Sequence, residues 1–353
     1  MLLYNSIVLF TVILLKIVLR YFYGGCILKK QILVLLVLLI LISILSSCSW
    51  MGSGYKYGYI DKTGAFVIEP SFDNALPFND DMAAVMTGNA QFSKWGYIDL
   101  SGELVIDYKY DRVRGFSEGL SPVMVGEGKD GRWTFIDKQG NISINEEFLD
   151  ASIFDKGMAP VKLVNKDKYC YIDPAGNIVL EPIFDIASVF SEDYAVYGIG
   201  SIEDPITGII NRDGEVVVDA KFAYCGSFSE GLSVVKLGKE QVPDWGYLNS
   251  DGELVIEPIY AWATPFSEGL AAVQVDNQQN GKWGYINKHG DFVIEPQFDG
   301  ALNFSEGLAP VMKTDEYGGK WGYIDKTGAY VIEPQFNSAY EFSQGLAPAS
   351  IEE

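Results

Sequence analysis

Histidine occurs once in these 353 residues, at His289, and cysteine only four times. A zinc centre or a Ser-His or Cys-His nucleophile needs a defined set of partners, and none is present, so no metal and no catalytic residue is assigned. No oxygen-rich loop has calcium-binding spacing, and no cofactor motif appears. A helical period is missing from residues 55–353. Positive charge is scarce there too: 22 Lys and Arg remain beyond the first 47 residues against 47 Asp and Glu, a net charge of about −25. Such a surface repels phosphate backbones and anionic lipid, which argues against nucleic acid as a partner.

The first 47 residues invert that balance, with no acid and four bases, Lys16, Arg20, Lys29 and Lys30. Lys29-Lys30 precedes an apolar run over residues 31–45 and then Leu45-Ser46-Ser47-Cys48. Basic start, apolar middle and small residues before a cysteine form a secretory signal. Its end resembles the lipobox of bacterial lipoproteins. That resemblance implies cleavage before Cys48 and lipid on its thiol, which leaves residues 48–54 as a short anchored linker facing outside the cytoplasm. A second apolar stretch, residues 7–19, is surplus to one leader. A true start near residue 28 accounts for it; an extra membrane segment is the alternative.

From residue 55 onward one pattern returns eight times. The glycine slot of W-G-Y-I runs through Gly58, Gly96, Thr134, Cys170, Gly208, Gly246, Gly284 and Gly322, advancing by 38 except for one step of 36. A turn glycine follows each slot by six residues, and a phenylalanine opening F-S-E-G-L-A keeps the same period. A unit this short cannot bury a core alone, so neighbours must supply one another's interior. Within the seventh unit, Trp283-Gly284-Tyr285-Ile286 alternates as a strand, and Asn287-Lys288-His289-Gly290 reads as a type I turn closed at positive φ. Phe292-Val293-Ile294-Glu295 is the return strand, ended by Pro296. A short third strand and a Leu308-Ala309-Pro310-Val311 strand complete the unit. The class is all-β.

A closed β-propeller-like ring and an open solenoid of hairpins both fit. The ring is favoured, because the array opens on a hairpin without an L-A-x-V strand and ends on a surplus one at Gly345-Leu346-Ala347-Pro348-Ala349. The units K-W-G-Y-I-D-K-T-G-x-x-V-I-E-P-x-F-x-x-A-x-x-F-S-E-G-L-A resemble the bacterial WG repeat family over residues 55–350. That resemblance implies an exported or surface-associated repeat protein without established catalysis. Units three to five depart most, at Thr134, Cys170, Thr207 and Val218-Asp219-Ala220.

The period also sorts candidate sites. Trp95, Trp133, Trp245, Trp283 and Trp321 stand at one fixed position, as packing demands, and so do the slot glycines. The acids of the F-S-E turn are read as solvated carboxylates or amide acceptors. Cys170 and Cys225 occupy unlike repeat positions, so two buried free thiols are expected rather than a disulfide. Recognition is expected from aromatics outside the consensus: Trp262 with Tyr260, the pair Tyr194 and Tyr197, and Tyr317. The expected function is a lipid-anchored, non-catalytic scaffold for a protein or a cell-envelope glycan. The alternative is an envelope-glycan enzyme using a carboxylate pair.

Overall fold

A computed structural model describes residues 54–88, 93–126, 130–201, 205–238, 244–275, 281–316 and 318–352. Residues 1–47, expected to form a leader, Cys48 and Tyr317 lie outside them. The elements are all β-strands, within one unit spanning Ser53–Glu353. Strands pair antiparallel in seven separate sheets, six of four strands and one of seven.

The sheets are out of phase with the sequence repeat. One of them runs Asn74–Ala75, Met82–Thr87, Lys94–Asp99, Leu104–Tyr110, so its first two strands come from one repeat and its last two from the next. Turn chemistry fixes the joints. In D-L-S-G the Asp99 carboxylate accepts the N–H groups of Ser101 at 2.9 Å and Glu103 at 3.0 Å, and Gly102 sits at φ +86°. In F-S-E-G-L, Ser117 and Leu120 exchange both backbone hydrogen bonds around a two-residue turn, with Glu118 and Gly119 both at positive φ. A mirror-image turn of that kind matches the twist of the strands it joins.

The outer strand does not end at its proline. It spans Phe292–Phe298 straight through Pro296. Two features permit this. The strand is the edge of its sheet, and it is bulged: between the pairs Trp283–Phe298 and Tyr285–Ile294, the single residue Gly284 faces three. A bulge on an edge leaves no ladder bond for the proline to remove. The same bulge dictates the glycine slot. A Cβ on Gly284 would lie 2.6 Å from the Ile294 oxygen and 2.8 Å from the Pro296 nitrogen. Gly58, Gly246 and Gly322 face equivalent backbone at 2.4–2.6 Å. Close approach, not positive φ, makes this residue glycine. Thr134 solves the problem differently: its hydroxyl donates to the Ile144 carbonyl at 2.6 Å, turning a clash into a hydrogen bond.

Six of the eight interiors are built on the tyrosine of W-G-Y-I: Tyr59, Tyr97, Tyr171, Tyr247, Tyr285 and Tyr323 are fully buried, and Phe135 and Ile209 fill the position in units three and five. Their hydroxyls donate to a carbonyl 17 residues on, as Tyr285 does to Leu302 at 2.9 Å. Each ring packs on the phenylalanine of F-S-E-G, with Tyr285 and Phe304 centroids 4.9 Å apart. Burial lifts these phenols well above their ordinary range, so they stay neutral. Cys170 and Cys225 are free and buried, and burial pushes both thiols up to about 11.

Neighbouring units are clasped by two recurring bonds. The serine of F-S-E-G donates to the next unit's phenylalanine carbonyl, at 2.6 Å for Ser305 to Phe342. The glutamate accepts the next unit's glycine N–H, as Glu268 does from Gly307 at 3.1 Å. A lysine two units on adds an ion pair, Lys326 to Glu268 at 3.1 Å. All three contacts have counterparts where the ends of the array meet: Ser343 donates to Phe78 at 2.6 Å, the Asp81 N–H donates to the Gln344 amide oxygen at 3.0 Å, and Lys62 pairs with Glu306 at 3.1 Å. Tyr55–Ile60 also pairs residue for residue with Ala347–Glu352. The one fused sheet takes strands from units two, three and four, because within unit three Ile142–Ala151 runs uninterrupted through the place where other units pass from one sheet to the next.

Candidate binding surface

Four repeats carry an ion pair at one end of the sheet. The lysine before the tryptophan slot meets the aspartate of F-D-x-A: Lys56 with Asp73 at 2.7 Å, and likewise Lys94 with Asp111, Lys168 with Asp185 and Lys282 with Asp299. The aspartate's second oxygen holds the strand beyond, as Asp299 does by accepting the Thr314 N–H at 2.8 Å. The lysine and the Gly200 N–H hold the Asp185 carboxyl below its usual range. Burial alone would raise Asp299, but Lys282 and the Thr314 N–H outweigh it and lower the net value.

The other four units lack this pair: Leu149 and Asn337 stand at the aspartate position of units three and eight, and units five and six, which are consecutive, have lost both partners. Ile206 and Ala223 occupy its places in unit five, Asp244 and Ala261 in unit six. Beside each of these alanines stands an aromatic residue, Tyr224 and then Trp262, one period apart. Tyr224 is 46% exposed and Trp262 50% exposed. Between them lies Trp245, only 7% exposed, its ring 5.3 Å from that of Tyr224 and 4.7 Å from that of Trp262. The result is a stepped aromatic platform that crosses from one sheet to its neighbour. Neither the Tyr224 hydroxyl nor the Trp262 indole N–H has a hydrogen-bond partner among the described residues. Partial burial, with Cys225 nearby, raises the Tyr224 phenol and keeps it a neutral donor. Beside Tyr224, whose cross-strand partner is Lys236, a cavity of about 390 Å³ is lined by Lys221, Phe222, Leu237, Gly252 and Leu254.

Of the aromatics expected at the surface, Trp262 is there and three others are not. Tyr260 is 4% exposed, because it fills the phenylalanine slot of the outer strand and pairs with Trp245 inside the core. Tyr197 is 8% exposed; it takes a valine slot, and its hydroxyl accepts the Ala220 N–H at 3.1 Å. Tyr194 is half-buried in a leucine slot, its ring 4.6 Å from Phe228. Tyr224 was missed, although its 38-residue spacing from Trp262 signals it. The repeated tryptophans pack as the period requires. Trp133 and Trp245 are buried, while Trp95, Trp283 and Trp321 are partly so, each against a core cluster.

A second recess of about 460 Å³ lies in unit three, lined by Asp130, Arg132, Trp133, Thr134, Asn145 and Glu147 among others. Nearby, the Arg114 guanidinium lies over Trp133 at 5.3 Å and bonds to the Ala151 carbonyl at 2.7 Å. His289 is exposed in its turn. Among the described residues no group of three or more His, Cys, Asp or Glu could hold a metal ion.

The chain belongs to the family described as WG containing repeat, whose model matches residues 57–89, 95–129, 133–169, 169–200, 208–240, 245–278, 283–317 and 321–353. Among solved structures it is similar to apo prolyl oligopeptidase B from Galerina marginata (TM-score 0.54, 13% identity, covering 79% of this chain and 55% of that one). It is also similar to Porphyromonas gingivalis dipeptidyl peptidase 4 (TM-score 0.52, 11% identity, 77% and 55%). The β-propeller domain of the Trilobed protease from Pyrococcus furiosus matches with a TM-score of 0.48 at 9% identity, over 75% of this chain and 99% of that domain. The chain spans about half the length of the first two, and these likenesses concern a propeller-like fold alone. A comparison with curated protein sequences gives no match.

Proposed function

We propose that this WG-repeat chain is a non-catalytic binding scaffold of the bacterial cell envelope. It is held by lipid on Cys48, faces outside the cytoplasm, closes its eight repeats into a ring, and presents the Tyr224–Trp262 platform to a protein or envelope glycan. One observation carries the reading. In an array whose repeat positions are committed to packing, two successive variable slots turn aromatic and exposed where the neighbouring ion pair is lost. Aromatic anchors on a rigid frame lose little conformational entropy on binding. The ring reading is supported by the three unit-to-unit bonds shared by the two ends of the array. The leader's composition and L-S-S-C end support the anchor.

Affinity capture from native envelopes tests this with the lipidated chain and its Tyr224→Ala/Trp262→Ala variant. The expected result is a partner retained by the first and lost by the second, without turnover. Equal recovery by both would overturn the assignment of the surface, and an unmodified Cys48 in mass spectra of membrane-extracted protein would overturn the anchor.

A further inference from the structure

We infer that the Tyr224–Trp245–Trp262 platform is a carbohydrate subsite for neutral pyranose units of a polysaccharide, a reading that rests on the scaffold assignment above and narrows its partner. Three observations converge. First, the platform has two kinds of surface at once: ring faces that are half exposed, and two polar edges, the Tyr224 hydroxyl and the Trp262 indole N–H, left without partners among the described residues. A pyranose has the complementary pair, a face of C–H groups and a rim of hydroxyls, whereas a purely apolar plug would leave both donors unpaired.

Second, the size suits one or two sugars. Half-exposed aromatic side chains offer roughly 100 Å² each, far below the roughly 800 Å² per partner of a stable protein interface. Third, charge selects within sugars. The slot lysines that could attract acidic glycans are replaced by Ile206 and Asp244, and the one cation opposite Tyr224, Lys236, is paired with the Asp244 carboxylate at 4.0 Å. The whole chain carries a net charge of −21, which disfavours uronate or phosphate polymers. The stepped geometry across two sheets, with centroids 4.7 Å and 5.3 Å from Trp245, gives a chain of sugars two tilted faces to follow.

Titration of the full chain in detergent micelles tests this, with tryptophan fluorescence and calorimetry as readouts. The probes are a neutral β-linked glucose hexasaccharide, a chitin hexasaccharide and an oligogalacturonate of equal length. Saturable binding of a neutral probe and none of the galacturonate is expected. Trp262→Ala should weaken binding by about tenfold or more, and Trp262→Phe, which keeps a ring but loses the N–H, by less. Circular dichroism should be unchanged for both, since the side chain is half exposed. Failure of both neutral probes to bind, or undiminished binding by Trp262→Ala, overturns the inference. If envelope capture still depends on Trp262 while both neutral sugars fail, the scaffold stands and the sugar assignment alone falls. If neither capture nor sugar binding responds to Trp262, both fall.

Discussion

The Lys282–Asp299 region of unit seven and the Tyr224–Trp262 region of units five and six are built on the same backbone and differ in a handful of side chains. At the first, a carboxylate ties a lysine and an amide together beside Gly300, and nothing projects. At the second, Ala261 and Trp262 replace the aspartate and the glycine, and an indole stands out in solvent. The hairpins and bulges beneath are the same, and Tyr247 and Tyr285 fill one buried position that Ile209 takes in unit five. Stability therefore resides in the positions common to both regions, and the proposed recognition in those that differ.

The largest effect should come from what the two regions share. Alanine at Gly246 or Gly284 forces a methyl against the bulged backbone and should lower stability by about 1–3 kcal/mol at either site, read by thermal unfolding. A clear inequality between the two would show that the bulges are not equivalent. The serine clasp comes next. Ser305→Ala and Ser343→Ala should each cost about 1 kcal/mol, and equal losses mean the meeting of the ends bears as much as an internal joint. A harmless Ser343→Ala would mean that the ends part easily.

Acid should then separate the two regions. Asp185 and Asp299 are held below the ordinary carboxylate range of about 4. Their contribution is complete above that range and is lost as pH falls through the depressed folded values. In urea melts, wild-type protein should lose more stability between pH 7 and pH 3 than Asp185→Asn/Asp299→Asn, while Ala223 and Ala261 contribute nothing of this kind. The smallest effect is expected at Lys282→Ala, below about 1 kcal/mol, since that lysine side chain is 44% exposed.

Period and alternation made the strands, both turns and the all-β class legible from sequence. They also held information that went unused. Tyr260 lies one period from Phe222 and Phe298, Tyr197 from Val235, and Tyr194 from Leu232, so their burial follows from register alone. Chemical type drew attention to them, but position decides. The bulge was not legible, because alternation describes a regular ladder and cannot show three residues facing one. Hence Pro296 read as a stop. The fusion of two sheets within unit three was hidden for a related reason. The bend between sheets elsewhere is a single residue, such as Asp73, and its loss at Leu149 leaves no mark in hydropathy.

The half-step offset between sheet and repeat has an evolutionary consequence. Because five of the seven sheets borrow strands from two successive copies, a tandem duplication or deletion of one whole period among them inserts or removes a complete sheet wherever the crossover falls. Lineages can thus lengthen or shorten such a gene in single increments without ever passing through an intermediate with an orphaned strand.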